Sequence, residues 1–580
     1  MKYIVLPLLA AAATTWSPGA SALQTGCSGG TLIQAADGAK GDVHGSAVDV
    51  DGDTLLVGSP GDDANAGAPS AGSVYAYRES GGVWVLEAKL VASDGQGAGQ
   101  GPGFDLGDEL GAAVALDGDV ALAGASREDQ LGYDAGAAYV FQRTGTSWSE
   151  LQKLIASDGA GGAGFADGDR FGSSVALELP WALVGAPGRD DAGTDSGAVY
   201  VFQFDGLQWN EVQKLVASDA AGGDGTGFNV GDQFGTAVAL AGDRALIGAP
   251  GRNGFGLDIG GAYVFRLQGG AWVEEALLTS NDGQDYDLGG RDVALGADAA
   301  LFAASTKAAV PGGDSEGVVY AFRLGGGGWA QEARLTATDL VPLMHFGESL
   351  DLDGTAAAIG APRVAVPFPP GPTGVNQGIT YVFRDTGTGW VQESRVLAPE
   401  PGAEHVFGSA AATDGTRLAV GATGTAQSGP GTGSAYVYEV LDPGCPTGLV
   451  TGAPGFSVAL GGSVGFFLNA GSARAGGVYL VLGSLSGTSP GFVLDGLTIP
   501  LNPDAYLVIS ATAAGTAPFV DTVGVLGALG TGNAAFAAPP GLPASLVGTV
   551  VHHAFLTVAL AGGIPTVAFA SEAEALTLFP

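Results

Sequence analysis

An all-β chain, a seven-bladed propeller followed by a small β-sandwich, is what this sequence predicts, and three observations carry the prediction. One short phrase recurs seven times: Gly58-Ser59-Pro60, Gly124-Ala125-Ser126, Gly185-Ala186-Pro187, Gly248-Ala249-Pro250, Ala303-Ala304-Ser305, Gly360-Ala361-Pro362 and Gly421-Ala422-Thr423, at steps of 55 to 66 residues. A repeat of that size is one supersecondary unit stacked many times. Within each step, short runs of Val, Tyr, Phe and Trp alternate with Gly and Asp turns, the signature of strands. The last unit stops short, and the piece it lacks stands at the other end of the chain.

The third unit shows how a blade is written. Phe171-Gly172 opens a strand from Ser173 to Leu177, and Glu178-Leu179-Pro180 turns the chain. Trp181 to Gly185 is a second strand, closed by Ala186-Pro187. A polar loop leads to a third strand, Ala198 to Phe202, and Trp209 to Ala217 holds the fourth. Four antiparallel strands per repeat is propeller grammar. Asp51-Gly52, Asp117-Gly118, Asp353-Gly354 and Asp414-Gly415 fall between first and second strands, where Asp-Gly suits the positive φ angles of a tight hairpin. A tryptophan begins the fourth strand in six units (Trp84, Trp148, Trp209, Trp272, Trp329 and Trp390) and reads as packing between blades.

After Ala435-Tyr436-Val437-Tyr438 the seventh unit has no tryptophan strand. Leu32-Ile33-Gln34-Ala35-Ala36-Asp37 matches Lys153-Leu154-Ile155-Ala156-Ser157-Asp158 and Lys214-Leu215-Val216-Ala217-Ser218-Asp219. The N-terminal segment is therefore expected to supply the outer strand of the last blade, closing the ring without an unpaired edge. Closure would bring Cys27 and Cys445, the two cysteines of the chain, to one seam as a disulfide. For a loop of about 400 residues the chain-entropy model gives on the order of 5 kcal/mol.

Residues 1–22 read as a secretory signal: Lys2, an apolar core from Ile4 to Ala13, and Ala20-Ser21-Ala22 as a cleavage site. That run is too short to span a bilayer. An even cysteine count fits an exported chain; lipidation of Cys27 is the lesser reading, because Gln24-Thr25-Gly26 lacks the leucine expected upstream. The 102 Gly and 30 Pro punctuate strands, since 46% of residues are apolar. A net charge of −37 argues against nucleic-acid and anionic-membrane partners. It serves solubility, or binding of a cation or a basic partner.

Phe171-Gly172, Phe234-Gly235, Phe346-Gly347 and Phe407-Gly408 each precede a Gly-Ala-Pro-like phrase. The chain from Leu32 to Tyr438 thereby resembles the FG-GAP repeat family, which includes the integrin α-subunit propellers, and especially secreted bacterial members with Lys-Leu-x-Ala-Ser-Asp segments. The resemblance implies the fold and leaves function open, because propellers of this kind bind proteins or glycans or only scaffold. It also implies calcium loops between first and second strands, and here the sequence departs. The nearest approach, Asp49-Val50-Asp51-Gly52-Asp53, is followed at once by Thr54-Leu55-Leu56, leaving too few oxygens for Ca²⁺.

A second acidic set lies between blades. Asp94, Asp105 and Asp108 flank one Gly-rich loop, Asp158, Asp167 and Asp169 the next, and Asp219, Asp224 and Asp232 the third. They are candidate Ca²⁺ ligands, with loop capping as the plainer role. Arg127, Arg189, Arg252 and Arg363 recur just after the Gly-Ala-Pro phrase and are expected to form an arc on one face. They would either bind an acidic glycan or carboxylate or pair with Asp169, Asp190 or Asp232. Phe368, in the Pro-rich sixth loop Val364 to Pro370, is a candidate protein contact. His44, His345 and His405 fall near the Phe-Gly position of blades one, six and seven but at different offsets, which disfavours zinc. His552 and His553 are neighbours on a strand and point to opposite faces.

The propeller is expected over residues 23–440 and a linker over 441–447. Residues 448–580 then form a β-sandwich-like domain, with strands at Ser463 to Leu468, Val478 to Leu482, Tyr506 to Ile509, Val550 to Leu560 and Thr566 to Ala570. Leu501-Asn502-Pro503-Asp504-Ala505-Tyr506 and Val551-His552-His553-Ala554-Phe555 resemble a C-terminal module of secreted planctomycete-type proteins, with a surface-retention or sorting role. No nucleophile–base pair emerges. The expected function is therefore a monomeric, non-enzymatic propeller, secreted or at the cell surface, that binds a protein or polysaccharide in adhesion or scaffolding. The alternatives are a polysaccharide lyase or hydrolase on a propeller scaffold, or a structural surface component.

Overall fold

The computed structural model describes residues 30–438 outside the segments 65–68, 97–106, 160–167, 223–230, 254–256, 306–315, 338–343, 365–376, 397, 399–404 and 425–430. Beyond 447 it describes the strands and a few neighbouring residues. The proposed signal, the linker, Cys27, Cys445, Phe368, Asp105, Asp167 and Asp224 lie outside the described residues.

Seven four-stranded antiparallel sheets follow one another. Blade 1 comprises Val48–Asp51, Thr54–Ser59, Ser73–Ser80 and Val83–Leu90. Blade 3 comprises Ser174–Glu178, Trp181–Ala186, Ala198–Phe204 and Trp209–Leu215, within two residues of the expected bounds. The first strands neighbour one another in cyclic order, so they ring the axis. In blade 7, Phe407–Thr413, Leu418–Ala422 and Ser434–Tyr438 are completed by Thr31–Ile33. Thr31 lies opposite Val437, Leu32 opposite Tyr436 and Ile33 opposite Ala435. The expected N-terminal closure is therefore present.

The recurring phrases are seams between blades. The Gly172 amide donates to the Gly185 carbonyl at 2.9 Å, within its own blade. The Gly172 carbonyl in turn abuts Gly124 of the preceding blade, where an added Cβ would lie 1.9 Å from that oxygen. Gly421 meets the Gly45 carbonyl in the same way, so the joint between blades 7 and 1 is built like the others. The residue before each Phe-Gly position turns the chain through the left-handed region: Val43, Glu109, Arg170, Gln233, Leu288, His345 and Val406 have φ between 52° and 57°. Such a φ is strained for a branched side chain.

Outside blade 2, where Leu110 holds the Phe position, each blade is filled by an aromatic nest. Phe171 meets Tyr200 and Phe202 edge-on, at centroid distances of 5.4 and 6.1 Å. Phe234, Phe346 and Phe407 repeat the pattern. In blade 5 the Phe position is Gly289, and the ring comes from the second strand instead: Phe302 packs on Tyr320 at 5.3 Å and Phe322 at 5.4 Å. In blade 1 it is His44, edge-on to Tyr75 at 5.0 Å.

Beyond residue 447 the described residues form two larger sheets and a two-stranded one, Phe492–Leu494 with Leu497–Ile499. One larger sheet orders Gly448–Thr451, Gly462–Asn469, Thr531–Ala538 and Phe519–Val520. The other is centred on Val550–Ala561, paired with Val478–Ser484, Ile564–Ala570 and Glu574–Phe579. Four of the five expected strands are present; Tyr506 to Ile509 lies outside the described residues.

Candidate functional site

The loops joining second to third strands and the loops between blades share one face of the ring, because their side chains meet there. Among the described residues an aspartate after the outer strand reaches the next blade at five of the joints. Asp94 accepts a hydrogen bond from the Tyr139 hydroxyl at 2.8 Å and from Lys153 Nζ at 2.8 Å. Asp158 takes Tyr200 at 2.7 Å and Lys214 at 3.0 Å. Asp37, from the shared closing segment, takes Tyr75 and Lys89, both at 2.7 Å. Asp219 is held by Tyr263 and by Arg252 at 2.8 Å. Burial alone would raise the Asp94 carboxyl, but the hydrogen bonds and charge of Lys153 with the Tyr139 hydroxyl outweigh it and hold the group below the usual range. Asp37, Asp158 and Asp219 are lowered by the same balance.

The second described aspartate of each loop faces inward. Asp108 caps the Gln96 amide at 2.6 Å and Asp232 the Ala221 amide at 2.7 Å. Asp169 accepts from Arg189 at 2.9 Å. The described oxygens among those singled out for Ca²⁺, on Asp94, Asp108, Asp158, Asp169, Asp219 and Asp232, thus already hold amides, hydroxyls and cationic side chains. Among the described residues no three His, Cys, Asp or Glu side chains are arranged to hold a metal ion. That covers His44, His345 and His405 as well.

The four arginines after the Gly-Ala-Pro phrase are unevenly neutralised. Arg127 pairs with Glu109 at 2.9 Å and approaches Asp134 at 3.9 Å. Arg189 is ringed by Asp169, Asp191 and Asp158 at 2.9, 2.8 and 3.3 Å. Arg252 pairs with Asp219 and also donates to the Tyr263 hydroxyl at 3.0 Å. Of the partners expected from sequence, Asp169 is used, whereas Asp190 and Asp232 give way to Asp158, Asp191, Asp219 and Glu109. Arg363 is exposed and makes no ion pair among the described residues. Its charge acts on Glu348, which lies 3.8 Å from Arg291 and 3.5 Å from His345 Nδ1. Burial would raise Glu348, but His345, Arg291 and Arg363 together keep it below its ordinary value. Arg291 and Glu348 carried no sequence signal, since they sit one residue beyond Gly290 and Gly347 and depart from the small residues used in most blades.

A third group faces the axis. First strands present a free edge there, and their amides need acceptors. Asp49 accepts from the Leu116 amide at 2.7 Å, and Asp292 and Asp351 accept from Leu350 and Thr413, both at 2.6 Å. Each carboxylate caps the first strand of the following blade. Burial first, then neighbouring carboxylates, push Asp49 and Asp292 up to about 7 and Asp351 to about 6.

Among the described residues no helix is long and apolar enough to cross a membrane. No curated protein matches the chain. The FG-GAP repeat profile matches residues 31–77, 84–141, 148–202, 209–265, 329–383 and 390–438, together more than half of the chain. The stretch it passes over holds blade 5, where Gly289, Ala303 and Ser305 replace the residues that name the repeat. With the same seams and nests in the folded ring, the chain belongs to the FG-GAP repeat family.

Proposed function

We propose that the protein is an exported, non-enzymatic binding propeller that presents the loop-bearing face to an extracellular protein or polysaccharide, in adhesion or scaffolding. The supporting observation is how side chains are spent on that face. Its described carboxylates and most of its arginines lock neighbouring blades together, which makes a rigid platform, and among the described residues no nucleophile–base pair or opposed pair of free acids stands there. Retention at the cell surface through residues 448–580 is part of the proposal. The test is an array of extracellular polysaccharides and proteins probed with the full chain, with soluble products monitored. Saturable binding without turnover is expected. Release of shortened saccharides, or silence across the array, would overturn the reading.

A further inference from the structure

We propose that the face over blades 4 to 6 carries a subsite for a sugar bearing a single carboxylate, built from Arg291, Arg363 and His345 around Glu348, with Tyr286 and Leu257 as its apolar ledge. This rests on the binding reading above and names the ligand class.

Charge is the first support. In the arc, Arg127, Arg189 and Arg252 are matched by carboxylates within 3 Å. At blades 5 and 6 two guanidiniums share one carboxylate. The Arg291 side chain is 43% exposed and its contact with Glu348 is long, at 3.8 Å; Arg363 is exposed and unpaired among the described residues. A guanidinium fork matches a carboxylate in two parallel hydrogen bonds. In a chain of net charge −37, two guanidiniums on one carboxylate set this spot apart from the rest of the arc, although Arg291 also reaches from blade 5 to Glu348 of blade 6.

The second support is the ledge on the loop that leads into Arg291. Tyr286 is 55% exposed and Leu257 46% exposed. The Tyr286 amide donates to the Leu257 carbonyl at 2.8 Å, and the Leu257 amide donates to Asp285 at 3.1 Å. Tyr286 sits at φ 65°, a costly conformation for a bulky residue and one found at binding sites. An exposed aromatic and aliphatic pair accepts the apolar face of a pyranose ring, while the arginines take its carboxylate.

The overall charge limits the ligand. A long polyanion is repelled by the field of the whole chain, whereas one carboxylate on an uncharged saccharide feels mainly groups within a Debye length, about 8 Å at physiological salt. An acidic peptide would satisfy the arginines but leave the ledge unused.

The experiment is titration calorimetry of the full chain with glucuronosyl-xylobiose, which carries one carboxylate on three sugars, and with its carboxyl-reduced form. Saturable binding of the acid is expected, about tenfold or more weaker for the reduced sugar and for Arg291→Ala or Arg363→Ala. Tyr286→Ala should weaken both sugars, and Arg127→Ala should change neither by more than about twofold. Thermal melts of each variant check folding. No binding of the acid, equal binding of the two sugars, or full binding by the Arg291→Ala/Arg363→Ala double variant overturns the subsite. A chain that ignores this sugar yet binds on the array loses the subsite and keeps the broader function; silence in both removes both.

Discussion

The exchange of aromatic rings in blade 5 can be reversed by mutation. Phe302 is 1% exposed and packs on Tyr320 and Phe322. In blades 3, 4 and 6 its position holds Val184, Ile247 and Ile359, and the ring enters from Phe171, Phe234 or Phe346. Phe302→Val removes four buried carbons, about 3 kcal/mol of transfer free energy before any cavity penalty. Gly289→Phe alone is also unfavourable, because an added Cβ would lie 3.0 Å from the Phe302 ring. The pair together rebuilds the arrangement of the sibling blades, and Gly289 has no positive φ to forbid a side chain. Urea unfolding followed by near-UV circular dichroism should show each single variant destabilised and the double variant within about 1 kcal/mol of the parent, a coupling of at least about 2 kcal/mol. A Phe302→Val variant that loses less than about 1 kcal/mol, or a double variant no better than the worse single, would refute the claim that one nest is filled from two alternative strands.

Four further outcomes are expected. Asp49, Asp292 and Asp351 have folded pKa values raised from 3.8 to about 7, 7 and 6. The folded chain therefore binds protons that the unfolded chain releases, and this contribution to stability falls as pH rises through that window; Asp351→Asn keeps an acceptor for the Thr413 amide and should raise the melting temperature at pH 8 while leaving it nearly unchanged near pH 4. His44 is pushed from 6.5 down to about 3 by burial, so its contribution is lost as pH falls through that range; His44→Phe with Ser59→Ala, the residues of the sibling blades, should flatten the acid side of the melting profile and change neutral stability by no more than about 1 kcal/mol. Tyr139→Phe removes a hydroxyl bonded to a carboxylate and should cost about 1.5 kcal/mol in urea unfolding, with the Asp94–Lys153 pair intact. Because the inter-blade carboxylates already hold amides, tyrosines and cationic side chains, EDTA should shift the melting temperature by less than about 1 °C; a drop of several degrees would restore calcium to those loops.

The blades were legible because each is a local pattern repeated. Hairpin turns, the tryptophan strands and the Lys-Leu-x-Ala-Ser-Asp match all operate within one unit or between two copies of it, and the shared closing strand followed from comparing Leu32 to Asp37 with its copies. Blade 5 was counted from the spacing of Ala303-Ala304-Ser305, although its ring comes from an unexpected strand, because nothing in Phe302 marks it as a substitute for Gly289. The aspartate loops were visible as a set, yet their partners Tyr139, Tyr200 and Lys153 lie 42 to 59 residues away and read as ordinary strand residues. The axial acids were hidden for a related reason: Asp49 and Asp351 share one position of the repeat but Asp292 stands two residues earlier, and only the closed ring brings the three to one axis. Arg363 was found with its siblings, but its lack of a carboxylate is a property of three dimensions.

The strand that completes blade 7 also sets the order of assembly. Residues 31–33 are made first, and their partner strand about 400 residues later. Blades 1 to 6 can form in sequence from neighbouring segments, whereas the last blade waits for two distant pieces to find each other, at a closure entropy of about 5 kcal/mol. Until then every molecule carries a free strand at one end and an open sheet edge at the other. Those two surfaces are complementary but not the same, so the strand of one molecule can complete the last blade of a second, and that contact propagates head to tail without closing. Intramolecular pairing wins only while the tethered strand's effective concentration exceeds that of its neighbours. Dilution during refolding therefore favours single rings, and crowding favours chains of swapped ones.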